Sequence, residues 1–249
     1  MHAAVQNVNR VKIWHGGSMI ILKPKRPSQI EIRRYMDVVS VLDMLLNKHL
    51  ILLNPKSWDD KNDSFFLEAY RKRLGLKAVR AACFSTKPET YHHWRCFAPG
   101  LSGACIIFYK DKLLEYVDKR PDLRGGLVKY KTNQQLQRMG KLADDDLPFL
   151  KRWPYQDEGE YRVIYEDDLW ECDDAHGIDL PLETIKRIVV SPWCPQSLYL
   201  SLKSIIRTLD GCNELTVNRS LLVDTEMWKD ALTAIHDRAF APTEQDDCL

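Results

Sequence analysis

Three side chains near residue 160 have the types and the spacing to do chemistry. In Trp153-Pro-Tyr-Gln-Asp-Glu-Gly-Glu-Tyr-Arg162, two carboxylates are separated by one glycine and an arginine follows two positions on. Strand alternation places Glu158, Glu160 and Arg162 on one face, where the guanidinium can keep one carboxylate ionised while the other bonds a substrate hydroxyl. In open water the same residues would form only a cross-strand charge ladder worth little to stability. A second acidic group, Asp59, Asp60 and Asp63, sits in the turn-rich stretch 58–64. Together with Glu158 and Glu160, Asp60 and Asp63 offer the oxygen ligands that Mg²⁺ prefers, with Arg162 or Lys151 steadying a phosphate. Taken alone, these aspartates read as caps of their own turn. His92 and His93 are adjacent, so they point to different sides of a helix or strand and poorly suit one metal. The densest positive group is Arg71, Lys72, Arg73, Lys77 and Arg80, either a track for a nucleic-acid backbone or a solvated helix face.

The composition limits what these residues can serve. Lys plus Arg number 36 and Asp plus Glu 35, a net charge of +1, so nucleic-acid binding through bulk charge is excluded and only a local patch remains. The 45% hydrophobic content is that of a folded globular protein. Seven cysteines form no Cys-x-x-Cys pair, which predicts reduced thiols and no structural zinc. No apolar run is long enough to span a bilayer and no signal layout opens the chain, so a cytoplasmic protein without membrane contact is expected.

The elements that must position the candidate residues read as short strands and helices without regular βαβ periodicity. Residues 1–30 form an appendage, with two strands flanking His15-Gly-Gly-Ser18 as a hairpin. The main domain covers 31–240, and a polar tail, 241–249, is expected to be disordered. Helices are predicted at 38–48 behind an Asp37 cap, at 65–76, 91–98, 110–117, 198–209 and 226–238, and a long polar one over 133–151. Strands are predicted at 50–53, 81–85, 104–109, 126–130, 161–165 and 185–190, with weak ones at 215–217 and 221–223. This pattern predicts an α+β fold, a single mixed and mainly antiparallel sheet with flanking helices.

Four blocks between about Ile32 and Arg207 carry a family likeness. They are Arg33-Arg34-Tyr35 with the later turn Asn54-Pro-Lys-Ser-Trp-Asp-Asp60, then Cys83-Phe-Ser85, then Trp94-Arg-Cys-Phe-Ala98 through Gly103-Ala-Cys-Ile-Ile-Phe108, and lastly Trp153–Arg162 with 180–190 behind it. In these blocks the chain resembles the bacterial domain-of-unknown-function family 2971. Members recur in phage-related gene neighbourhoods, so the resemblance implies a defence or toxin role, with a protein partner in a defence complex. Where that pattern carries two histidines and an acid, this chain has Cys96, Leu101 and Ile107. Any chemistry those side chains perform in relatives is therefore altered here.

The order Arg34, Ser85-Thr86, Glu158-x-Glu160 is also similar to that of ADP-ribosyltransferases. That likeness implies NAD as substrate, with Glu160, Glu158, Arg34 and Ser85 catalytic and with Arg34, Tyr35, Ser85, Thr86, Trp94 and Arg162 contacting the dinucleotide. The bond broken would be nicotinamide–ribose, and the acceptor a nucleic acid or a protein. Two other readings stay open. One is a Mg²⁺-dependent nuclease built on Asp60, Asp63, Glu158 and Glu160; the other is a non-catalytic sensor or adaptor subunit.

Overall fold

The computed structural model describes residues 11–15, 18–22, 31–170 and 174–239. Met1–Ile30 and Glu31–Leu249 are two compact units. In the first, β1 (Val11–His15) and β2 (Ser18–Leu22) pair antiparallel, with Val11 opposite Leu22 and His15 opposite Ser18. The expected tail at 241–249 lies outside the described residues.

In chain order the second unit runs β3 (Glu31–Asp37), α1 (Val38–Asn47), β4 (His49–Leu53), α2 (Lys61–Arg73), β5 (Ala78–Ser85), α3 (Tyr91–Phe97), β6 (Gly103–Tyr109), α4 (Lys110–Asp118), β7 (Leu123–Leu127) and β8 (Lys129–Lys131). It continues with α5 (Asn133–Gln137), β9 (Leu150–Arg152), β10 (Glu160–Asp167), β11 (Ala175–Asp179), β12 (Ile185–Val190), α6 (Gln196–Thr208), β13 (Val217–Arg219) and α7 (Glu226–Ala239). Nine strands form one sheet in the order β11-β4-β5-β3-β6-β12-β13, with β10 joined to β5 and β7. All its pairings are antiparallel except β12 with β13 at the edge, so the α+β class and the mainly antiparallel sheet are as expected. A separate parallel ribbon joins β8 to β9.

Local chemistry accounts for most of these boundaries. The Asp37 carboxylate accepts from the Ser40 amide at 2.7 Å and starts α1, satisfying one of the orphan donors of its first turn. On α2, Asp63, Leu67 and Tyr70 are buried at i, i+4 and i+7, a stripe that faces the sheet and carries an acid at its head. The long helix expected over 133–151 does not form. It breaks into α5, a 3₁₀ stretch Asp144–Phe149 containing Pro148, and β9. Proline has no amide hydrogen to donate and clashes with the preceding turn. Three strands, β3, β9 and β11, add to the expected set. Arg33-Arg34 and His176-Gly177 interrupt the apolar alternation that marks the others, the strand expected at 126–130 is divided between β7 and β8, and the weak one at 221–223 does not form.

The two faces of the sheet bury different things. On one, Ile32, Phe84, Ile106, Phe108 and Val163 pack with Val41 and Leu45 of α1, Leu113 and Val117 of α4, and Ile206 of α6. On the other, Val79, Ala81 and Ile164 meet Leu67 and Tyr70 of α2 and Leu147 and Phe149 of the 3₁₀ stretch. Farther along that second face, Cys105, Ile107 and Val189 lie with Trp94 of α3.

Candidate functional site

Beneath α2 the second face of the sheet carries a buried group of charges. The register sets Glu160 opposite Ser85 and Arg162 opposite Cys83, so these side chains share one face. Arg162 is fully buried, and each of its nitrogens donates. Nη1 and Nη2 reach the two Asp63 oxygens at 2.9 and 2.7 Å, Nε reaches Glu160 Oε1 at 2.7 Å, and Nη1 also reaches the Pro148 carbonyl at 2.7 Å. Trp58 lies under the guanidinium, 5.0 Å from it to the ring centre. The Lys151 ammonium on β9 sits 2.5 Å from Glu158 Oε2, 3.1 Å from Glu160 Oε2 and 3.6 Å from Asp63 Oδ2. Three carboxylates and two cations thus form one network of formal charge −1.

Burial separates the two glutamates. Glu158 remains 17% exposed at its side chain, whereas Glu160 is 4% exposed. For Glu160, burial pushes the carboxyl up, but Arg162 and Lys151 outweigh it and bring the pKa down to about 2. For Glu158, burial wins over Lys151, and the neighbouring charges of Glu160 and Asp63 add to the rise. Asp63 is also raised by burial, with Arg162 opposing. Burial alone would discharge Lys151, but Glu160, Glu158 and Asp63 hold its pKa above the ordinary value. Burial raises the Cys83 thiol well up, and the Glu160 charge adds to it, so this cysteine is no nucleophile.

Glu158 is not a strand residue, as alternation had implied. It ends a 3₁₀ turn, Trp153–Glu158, which Gly159 closes in the left-handed region at φ +51°. Three side chains hold this turn by its carbonyls. Ser85 Oγ donates to Glu158 O at 2.7 Å, Thr86 Oγ1 to Gly159 O at 2.7 Å, and His93 Nε2 lies 3.2 Å from Asp157 O. A β-carbon at position 159 would stand 2.6 Å from Lys87 Cγ. Gly159→Ala is therefore expected to cost about 1–2 kcal/mol in urea denaturation, the ordinary penalty of a left-handed residue with a side chain. An unchanged midpoint would mean that the turn does not depend on this conformation.

Several predicted site residues lie elsewhere. Arg33, not Arg34, stands opposite Ser85. Arg34 points to the other face, where Nη2 donates to the Ile51 carbonyl at 2.8 Å and the guanidinium lies over Phe84; burial lowers its pKa to about 10. Arg34, Ser85 and Glu160 therefore do not converge, because neighbouring strand residues face opposite ways. Ser85 and Thr86 are engaged as backbone anchors. Trp94 is buried in the core and donates to Glu89 at 2.7 Å, and Tyr35 packs against it edge-on. Arg162, fully buried with four of its five N–H donors engaged, is not accessible to a dinucleotide.

The metal-ligand set of Asp60, Asp63, Glu158 and Glu160 also fails to assemble. Asp60 caps α2 by accepting from the Asn62 amide at 3.0 Å, while Lys151 and Arg162 take up the oxygens of Asp63 and Glu160. Among the described residues, no group of three or more His, Cys, Asp or Glu side chains is arranged to hold a metal. The ammonium of Lys151 occupies the place a cation would need.

The positive segment is largely paired within the chain. Arg71 makes two 2.9 Å bonds to Glu68, Lys72 lies 3.6 Å from the same carboxylate, Arg73 bonds Asp144 at 2.8 Å, and Arg80 is buried. Of the substituted family positions, Cys96 is exposed on α3 with Sγ 3.4 Å from His92 Nε2, Leu101 is exposed, and Ile107 is in the core. Lys151, read from the sequence as a cation for a phosphate, instead serves the carboxylates themselves. No helix of the described residues is long and apolar enough to cross a membrane. No family model matches this sequence, and no curated protein matches it.

Proposed function

We propose that this chain is an enzyme of the ADP-ribosyl-transfer class whose reacting group is Glu158, with Glu160 as its permanently charged partner. The supporting observation is the pair itself. Two carboxylates share one ammonium, yet their proton affinities are driven apart, and the solvent-facing one has the raised pKa. Such divergence is how one site assigns a base and a fixed anion. Glu158 then accepts the proton of an attacking acceptor hydroxyl. The hydroxyl oxygen bonds the ribose carbon as the carbon–nitrogen bond breaks, and nicotinamide leaves with the bonding pair. A raised carboxylate is the stronger base for that transfer. Glu160 supplies negative charge next to the oxocarbenium-like centre, while Lys151 and Arg162 keep it ionised. Arg34 has no part in this reading. The defence-complex setting implied by the resemblance fits a modifying effector.

The test is nicotinamide release from NAD in the presence of oligonucleotide or protein acceptors. Glu158→Gln is expected to lower the rate by about 10²–10⁴-fold, the ordinary worth of a general base. A rate within a factor of two of wild type would exclude the assignment. A second reading, a non-catalytic adaptor, is favoured by one specific fact: every oxygen of Asp63 and Glu160 already has a cation within reach. Absence of turnover together with a stoichiometric complex with a co-expressed gene neighbour would support that reading.

A further inference from the structure

Beside the carboxylate network, on the flank of α2 that carries Ser64, Glu68 and Arg71, a cavity of about 190 Å³ opens between that helix, the start of β5 and the 54–56 turn. Its wall is cationic. Lys56, Arg71, Lys77 and Arg80 contribute positive groups, and Glu68 is the one acid. Glu68 is already committed to Arg71, which grips both of its oxygens at 2.9 Å and holds its pKa down to about 2. Arg80 is itself buried, with Nη1 on the Val79 carbonyl at 2.8 Å. Among the described residues, neither the Lys56 nor the Lys77 ammonium has an ion pair. The Ser64 hydroxyl adds a small polar donor to the wall, and Leu67 and Val79 give it an apolar base.

Like charges brought around one half-open space repel, and a cavity of this kind favours an anion with several acceptor oxygens. Size narrows the choice. Small-molecule sites usually run to roughly 300–1,000 Å³, so this space suits one charged group and not a whole nucleotide. A phosphate group has the tetrahedral oxygens to meet two ammoniums and a hydroxyl at once. We infer that the cavity lined by Ser64, Lys56 and Lys77 binds a phosphate group, from a free phosphate or phosphate ester or from the 5′ end of a nucleic acid. This assignment goes beyond the acid–base reading of Glu158 and does not depend on it.

The experiment measures binding directly, by ³¹P line broadening and by titration calorimetry at constant ionic strength. Inorganic phosphate, AMP, a 5′-phosphorylated oligonucleotide and its 5′-hydroxyl counterpart are compared on the full chain. Wild type is expected to bind the phosphate-bearing ligands in preference to the 5′-hydroxyl strand, saturably and with one site. Preference for AMP or for the phosphorylated strand over free phosphate identifies the source. Lys56→Gln with Lys77→Gln, at partly or fully exposed positions, is expected to weaken binding by at least about tenfold while leaving the melting temperature in place. Equal binding of the 5′-hydroxyl strand, no saturable binding by wild type, or undiminished binding by the double variant would each overturn the inference. Because wild type is measured directly, a variant that failed to fold would not protect it. Phosphate binding retained in Glu158→Gln separates this site from the carboxylate pair.

Discussion

Arg162→Met is expected to lower stability by about 3–5 kcal/mol in urea denaturation at neutral pH. The reason is what the substitution leaves behind. Asp63 and Glu160 would stay buried with two and one fewer charge-assisted hydrogen bonds, and the Pro148 carbonyl would lose its donor. Lys151 cannot replace the guanidinium, since it already serves Glu158 and Glu160 and approaches Asp63 only to 3.6 Å. Against a typical domain stability of about 5–15 kcal/mol, the loss is a large fraction of the whole. Methionine keeps much of the volume and its contact with Trp58, so the deficit reports charge and not a cavity. A triple change, Arg162→Met with Asp63→Asn and Glu160→Gln, removes the stranded carboxylates and should recover most of the loss. A deficit below about 1 kcal/mol, or a triple variant no better than the single one, would show that the network does not hold α2 to the sheet.

That network also explains what could be read from the chain and what could not. Glu158-Gly-Glu160-x-Arg162 is local, and its spacing is visible as written. The strand supplies the shared face of Glu160 and Arg162, so that part was legible from period-two alternation. The partner of Arg162 was not. Asp63 lies 99 positions earlier, on a helix whose first turn reads as a capped polar stretch. Nothing local distinguishes a buried Asp63 from the capping Asp60 beside it; the distinction lies in which one falls on the Leu67–Tyr70 stripe. The misplaced Arg34 has a similar origin. Arg33 and Arg34 are chemically alike, and a one-residue choice of register sends an arginine to the opposite face. Ser85 and Thr86 belong beside the Glu158 turn, as their place at a strand end implied, yet their hydroxyls hold backbone carbonyls. The last part of the helix expected over 133–151 failed for a local reason that was visible, the proline at 148, which polar periodicity overrode. The large sheet was legible through its central strands β5 and β6, which are mostly apolar and buried on both faces.

Glu160→Gln and Glu158→Gln should act on stability with opposite signs, although the two residues are two apart and share Lys151. The Glu160 pKa falls from 4.5 to about 2 on folding. A depressed carboxyl contributes stability that is present above its unfolded pKa and is lost as pH falls through the folded one. Glu160→Gln is therefore expected to cost on the order of 3 kcal/mol at pH 7, and its penalty should shrink steadily as pH drops from 4.5 toward 2. Glu158 has its pKa raised, chiefly by burial. A raised carboxyl contributes stability that is present below the unfolded pKa and is lost as pH rises through the folded one. Glu158→Gln removes that liability while an amide oxygen can still accept from Lys151, so at pH 7 the variant should be as stable as wild type or more stable. Urea midpoints followed from pH 7 down to pH 3 for the three proteins test both statements at once. A Glu158→Gln variant less stable than Glu160→Gln at pH 7 would sink the assignment of which carboxylate is held ionised, and so would a Glu160→Gln penalty unchanged at pH 3. The same result would remove the physical basis for Glu158 as the base, because a carboxylate needed by the fold in its charged form is not the one left poised to take a proton.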